Sequence, residues 1–161
     1  MPTRPRPAAP RVRSRGGRPA FTLIELLSAV LIVGLLAAIA LPSLNGSITK
    51  AKTTRAIGDI RTLAQDLTGQ DSLPPSLAAI GRGDLRDPWG RPYVYVKFPS
   101  SDSTPPGTAR SDRFGVAINV KYDLYSTGPN GLTAVGVTAG ASQDDIIVGA
   151  DGGYIGLASK Y

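Results

Sequence analysis

Glu25 is the only charged side chain between Phe21 and Leu41, a run of 21 residues. A carboxylate in or beside a bilayer is costly and is normally held by a named partner of opposite charge. The chemistry open to Glu25 is therefore pairing with a cation. Elsewhere the side-chain inventory is restrictive. Histidine and cysteine are both absent, which removes a zinc set, a Ser–His relay and a thiol nucleophile. Asp151-Gly152-Gly153-Tyr154 lacks the spacing, the lysine and the following helix of a phosphate-cradling loop, so it reads as a tight turn. No other group of residues has the partners that acid–base or nucleophilic catalysis needs. An enzyme is not expected, and no residue is assigned a catalytic role.

The apolar run is long enough to position Glu25 in a membrane, since a helix of about 20 apolar residues crosses a hydrocarbon core of about 30 Å. An ordinary secretory signal has a shorter apolar core, with its small-residue cleavage site after it. Here the small residue, Ala20, comes first. The chain has a net charge of +6, and six arginines (4, 6, 11, 13, 15 and 18) lie in the first 20 residues with no acid among them. Without them the 18 basic residues fall to 12, equal to the 12 acids. The basicity thus belongs to the leader and not to a nucleic-acid-binding surface. No basic stripe with interleaved aromatics follows it. Prolines 2, 5, 7, 10 and 19 forbid the amphipathic helix of a mitochondrial presequence. Positive charge flanking a span stays cytoplasmic, which puts the N-terminus inside and residues beyond 42 outside.

Four segments are expected: a leader over 1–20, a span over 21–42, a second helical half over 43–69, and an exported domain over 70–161. Pro42 and Gly46 predict a kink or local melting near 42–47. Ile57, Ile60, Leu63, Ala64 and Leu67 then share one helical face, with Arg55, Asp59, Thr62 and Asp66 on another. Arg55 and Asp59 stand one turn apart and can pair weakly. The helix should end at Thr68-Gly69, roughly 72 Å from Phe21 if helical throughout. Residues 73–81 predict a connection with a short helical turn. Tyr93–Phe98, Phe114–Tyr125 (one bent strand or two short ones), Ile146–Val148 and Tyr154–Leu157 predict strands. Residues 99–112 predict a mobile loop. The fold class is α+β, with a long N-terminal helix packed on a small antiparallel sheet. Asp87-Pro88-Trp89-Gly90-Arg91-Pro92-Tyr93 is a turn packed down by the only Trp. On their own, Pro129-Asn130-Gly131 is another turn and Asp144-Asp145 a solvated acid pair.

Phe21-Thr22-Leu23-Ile24-Glu25-Leu26, followed by an apolar helix reaching Pro42, resembles the N-terminal segment of type IV pilins and type II secretion pseudopilins. The resemblance implies cleavage between Ala20 and Phe21 by a prepilin peptidase and methylation of the new amine. The family usually has Gly where Ala20 stands. It also implies that Glu25 pairs with a neighbouring subunit's Phe21 amine when the chains polymerise. Residues 87–95 are similar to the segment opening the sheet of the G-type major pseudopilin. The absence of cysteine leans the same way, because many adhesion pilins close a C-terminal loop with a disulfide. In G-type pseudopilins a segment like Ser126–Gly131 and a downstream acidic-Ile segment enclose calcium. Carried over, the ligands are the Thr127 and Leu132 carbonyls, the Asn130 side chain, and Asp144 or Asp145. Asn130 replaces the usual Asp, and the insert from Leu132 to Gln143 is longer and more apolar than usual. The implied function is a structural subunit of a type II secretion pseudopilus, polymerised to drive export. It would work with other pseudopilins and the assembly platform of a bacterial inner membrane, crossing that membrane once with its C-terminal domain in the periplasm. The alternatives are a type IV pilin of an adhesion, motility or DNA-uptake fibre, and a helix-anchored periplasmic binding domain.

Overall fold

The computed structural model describes residues 21–99 and 105–161. Helix α1 runs from Leu23 to Thr68, 46 residues. The predicted melting is not seen, because the helix continues through 42–47. Proline forfeits its own N–H bond and crowds one turn, and the bonds on either side survive. The chain divides into two compact units at Leu41 and Pro42. In the first unit, the large apolar side chains from Phe21 to Ile39 are exposed.

In the second unit, Ala56, Ile60, Leu63, Ala64 and Leu67 recur at helical spacing and are buried. Ile57 sits at the edge of that stripe, partly buried. On the flank of the stripe, Arg55 and Asp59 lie 3.8 Å apart and Arg82 reaches Asp66 at 2.9 Å. After Thr68 a 3₁₀ turn spans Leu77–Ile80 and ends at Gly81, as the Pro and Gly around it predict.

Four strands follow in chain order: β1 (Val94–Lys97), β2 (Tyr122–Ser126), β3 (Ile146–Gly149) and β4 (Tyr154–Leu157). They form one antiparallel meander, β1-β2-β3-β4. Alternation along the strands gives each face its own core. Tyr122, Leu124, Ile146 and Val148 pack with the helix stripe, while Ile147 joins Ile118, Val137 and Ala158 on the other face. Burying a side chain such as Ile60 or Ile147 contributes about 1.5–3 kcal/mol.

Two expectations are corrected. The strand predicted over Phe114–Tyr125 exists only from Tyr122 onward. Asp112 accepts the N–H groups of Phe114 (2.8 Å) and Val116 (2.9 Å), and Ile118 N–H returns to the Arg110 carbonyl at 2.9 Å. That side-chain-stabilised turn outcompetes the local β propensity. The loop predicted as mobile over 99–112 is anchored in its described second half. Ala109 and Arg110 are buried there, and Ser111 exchanges backbone bonds with Val135 and Val137.

Candidate functional site

Ala20 lies outside the described residues. Phe21 is 81% exposed at the start of the first unit. Thr22 and Glu25 form a reciprocal pair at the start of α1. Glu25 N–H donates to Thr22 Oγ1 at 3.3 Å, and Thr22 N–H donates to Glu25 Oε2 at 3.5 Å. The Thr22 hydroxyl donates to the same carboxylate oxygen at 3.4 Å. This is a capping box, which satisfies helix donors that have no intrahelical acceptor. A Thr followed three residues later by Glu ahead of an apolar run was a signal for it in the sequence. Glu25 is thereby oriented by its own helix start, with its charge unneutralised among the described residues.

The second candidate region is the chain from Ser126 to Asp145. It is anchored first at the Trp89 turn. Asp87 Oδ1 accepts the N–H groups of Trp89 (3.0 Å) and Arg91 (2.8 Å), and Oδ2 accepts the Ser126 hydroxyl at 2.7 Å. One buried carboxylate thus shapes a turn and ties it to the end of β2. The Thr127 carbonyl then accepts Gly131 N–H at 3.1 Å. Asp144 Oδ2 accepts Asn130 N–H at 2.9 Å, Asp144 Oδ1 accepts the Asn130 side-chain amide, and Asn130 Oδ1 accepts Leu132 N–H at 2.6 Å. The closeness is extreme at Gly128, where a Cβ would fall 2.1 Å from the Asp144 carbonyl oxygen.

The fold therefore brings Thr127, Asn130, Leu132 and Asp144 together, and it separates Asp145 from them. Asp145 is fully buried, not half of a solvated pair, and Oδ2 meets Arg110 Nη2 at 2.7 Å and the Thr133 hydroxyl at 2.7 Å. Arg110 Nη1 also donates to Thr133 Oγ1 at 2.6 Å, and its guanidinium lies 4.3 Å over the Tyr125 ring. Backbone N–H of Arg110 donates to the buried Asp123 at 2.8 Å. Burial pushes both carboxyls up in pKa. At Asp145 the Thr133 hydroxyl and Arg110 oppose it, and at Asp123 the bonds from Arg110 and Asn119 do so.

As arranged, these residues do not fit calcium. The ion needs six to eight oxygens turned inward. Here the oxygens of Asn130 and Asp144 already accept N–H donors. Asp145 gives Oδ2 to a guanidinium, while its Oδ1 is buried and accepts no hydrogen bond from the described residues. A second guanidinium, that of Arg91, donates to the carbonyls of Gly128 and Pro129 (3.0 Å to the latter). Arg91 and Arg110 were not picked out as site residues from the sequence. Arg91 meets Pro129 at a separation of 38 positions, and Arg110 meets Thr133 and Asp145 at separations of 23 and 35; no local pattern records such meetings.

Comparisons with known proteins agree with this architecture. The chain is 33% identical over 132 residues to Fimbrial protein Q of Moraxella bovis, covering 81% of this chain and 74% of that one. It is 30% identical over 154 residues to Type II secretion system core protein G of Pseudomonas aeruginosa strain PAO1, covering 80% and 92% respectively. The Type IV major alpha-pilin of Moraxella bovis is 52% identical over 40 residues, 25% of each chain. No family model matches. No solved structure matches. Taken with a long apolar N-terminal helix and a helix-on-meander domain, the similarity over about four-fifths of the chain is decisive: the chain belongs to the family of type IV pilins and type II secretion pseudopilins.

Proposed function

We propose that this chain is a G-type pseudopilin, a structural subunit polymerised into a type II secretion fibre. A prepilin peptidase removes residues 1–20 by cutting between Ala20 and Phe21 and methylates the new amine. The span from Phe21 holds the subunit in the bacterial inner membrane, with the domain beyond Pro42 in the periplasm. Assembly with further copies, with other pseudopilins and with the inner-membrane platform moves the span out of lipid into a fibre core. The exposed apolar side chains from Phe21 to Ile39 suit either surrounding. The observation that carries the reading is the match to a core protein G over 92% of that protein's length. Identity of 33% to a fimbrial protein favours a second reading, a type IV pilin of a surface fibre.

Two measurements test this. Mass spectrometry of membrane-extracted protein should give a mature chain that starts at a methylated Phe21. An intact leader in a peptidase-positive cell would count against processing. Deleting the gene in its host should leave type II secretion substrates inside the cell while surface pili and twitching persist. Loss of pili with normal secretion would establish the second reading instead.

A further inference from the structure

We propose that Arg91 and Arg110 take over the work of a metal ion in this chain, so that the loop from Thr127 to Asp145 is held without calcium. The two guanidiniums grip opposite ends of it. Arg91 leaves the Trp89 turn and donates through Nη2 to the Gly128 and Pro129 carbonyls. It packs so closely that a Cβ on Gly131 would lie 2.7 Å from Arg91 Nη1. Arg110 is 3% exposed and bridges the Thr133 hydroxyl to Asp145. A calcium ion in such a loop does two things: it neutralises acids and draws carbonyls inward. Arg110 does the first, at Asp145. Arg91 does the second, at Gly128 and Pro129. The one remaining acid, Asp144, is satisfied by Asn130, and an Asp at position 130 would instead repel it. Asn130, the two arginines and the separation of Asp144 from Asp145 are therefore mutually consistent. A divalent cation brought to the Gly128 and Pro129 carbonyls would meet the Arg91 guanidinium. The two arginines hold the domain in the same way whichever fibre the subunit enters.

The test uses the full chain in detergent, with millimolar calcium, millimolar magnesium, or chelator. The three melting midpoints should coincide, and amide exchange at Asn130, Gly131 and Leu132 should be the same in all three. Arg91→Ala should speed exchange at those amides about tenfold or more, as expected when the bonds holding a local unit closed are lost. Arg110→Met should lower the midpoint more than Arg110→Met combined with Asp145→Leu, because the single variant strands a buried carboxylate and the double does not. A single variant that does not fold, beside a double variant that does, is the same result in a stronger form. A midpoint raised by calcium and not by magnesium would overturn the proposal. So would unchanged exchange in Arg91→Ala, or a double variant no more stable than the single.

Discussion

Glu25 carries two roles that a single substitution to Ala would confuse. Within the chain it caps α1 by exchanging bonds with Thr22, a contribution of about 1 kcal/mol. Between chains it is the acid that the proposed fibre pairs with a Phe21 amine, and removing one member of a buried ion pair costs about 3–5 kcal/mol. The second effect is the larger and should decide assembly. Gln can still accept the capping bond but carries no charge. Glu25→Gln, like Glu25→Ala and Glu25→Leu, should therefore leave insertion and cleavage intact and abolish fibres in sheared fractions probed by blotting. Normal fibre yield from Glu25→Gln would mean that the cap is the whole role of this residue. Thr22→Val, which exchanges only the hydroxyl for a methyl and leaves the Glu25 charge in place, should reduce yield without abolishing it.

Among the elements, the Trp89 turn joins the sheet to the candidate loop, and Asp87 is its joint. Three donors converge on this one carboxylate, from Trp89, Arg91 and Ser126. Asp87→Ala leaves them without that acceptor at a buried position, a cost of about 1–3 kcal/mol. The melting midpoint should fall by roughly 2–4 °C for each kcal/mol lost in a chain of this length. Amide exchange should rise at Trp89, Arg91 and Gly128 together, since Gly128 N–H leans on the Ser126 hydroxyl that Asp87 holds. An unchanged midpoint would show that Trp89 packing alone holds the turn. The helix makes a parallel point about cores. Ile60 is fully buried between α1 and the sheet, so Ile60→Ala should cost about 2–5 kcal/mol. Substituting Ile39, exposed in the first unit, should leave the melting of the second unit unchanged.

At the scale of the whole molecule, the tyrosines report how the second unit is closed. Burial raises the pKa of Tyr93, Tyr95, Tyr122, Tyr125 and Tyr154. Tyr95, whose hydroxyl donates to the Pro74 carbonyl at 2.9 Å, is pushed up to about 12. Tyr93 is raised further, by burial and then by its bond to Asp59 at 2.9 Å. A phenol whose folded pKa exceeds its unfolded value of about 10 stabilises the fold fully below that value. The stabilisation is then lost as pH rises through the folded pKa. The chain should therefore hold its structure to about pH 10 and weaken as pH climbs through about 12. Tyrosinate absorbance should lag behind that of the urea-unfolded chain over the same interval. Tyrosines that all ionise near 10 in the folded chain would contradict this burial.

The α+β class, the helix end at Thr68, the stripe from Ile60 to Leu67 and three of the four strands are legible in the sequence. These features rest on periods of 3.6 and 2 residues and on local turn chemistry, which neighbours in sequence impose on one another. The Phe21–Leu26 motif and Glu25 were legible for the same reason, being contiguous. Tertiary placement decided the rest. A local acid pair became two residues with different work, Asp144 on the Asn130 turn and the buried Asp145 on Arg110. The partners of Asp145 sit 12 and 35 positions away, and one step along a strand or turn end sends a side chain to the opposite side. The segment after Phe114 turned instead of pairing, because Asp112 satisfied its backbone first. Which cation holds the loop is a question of three-dimensional proximity, and the fold places Arg91 and Arg110 there from outside the segment they hold.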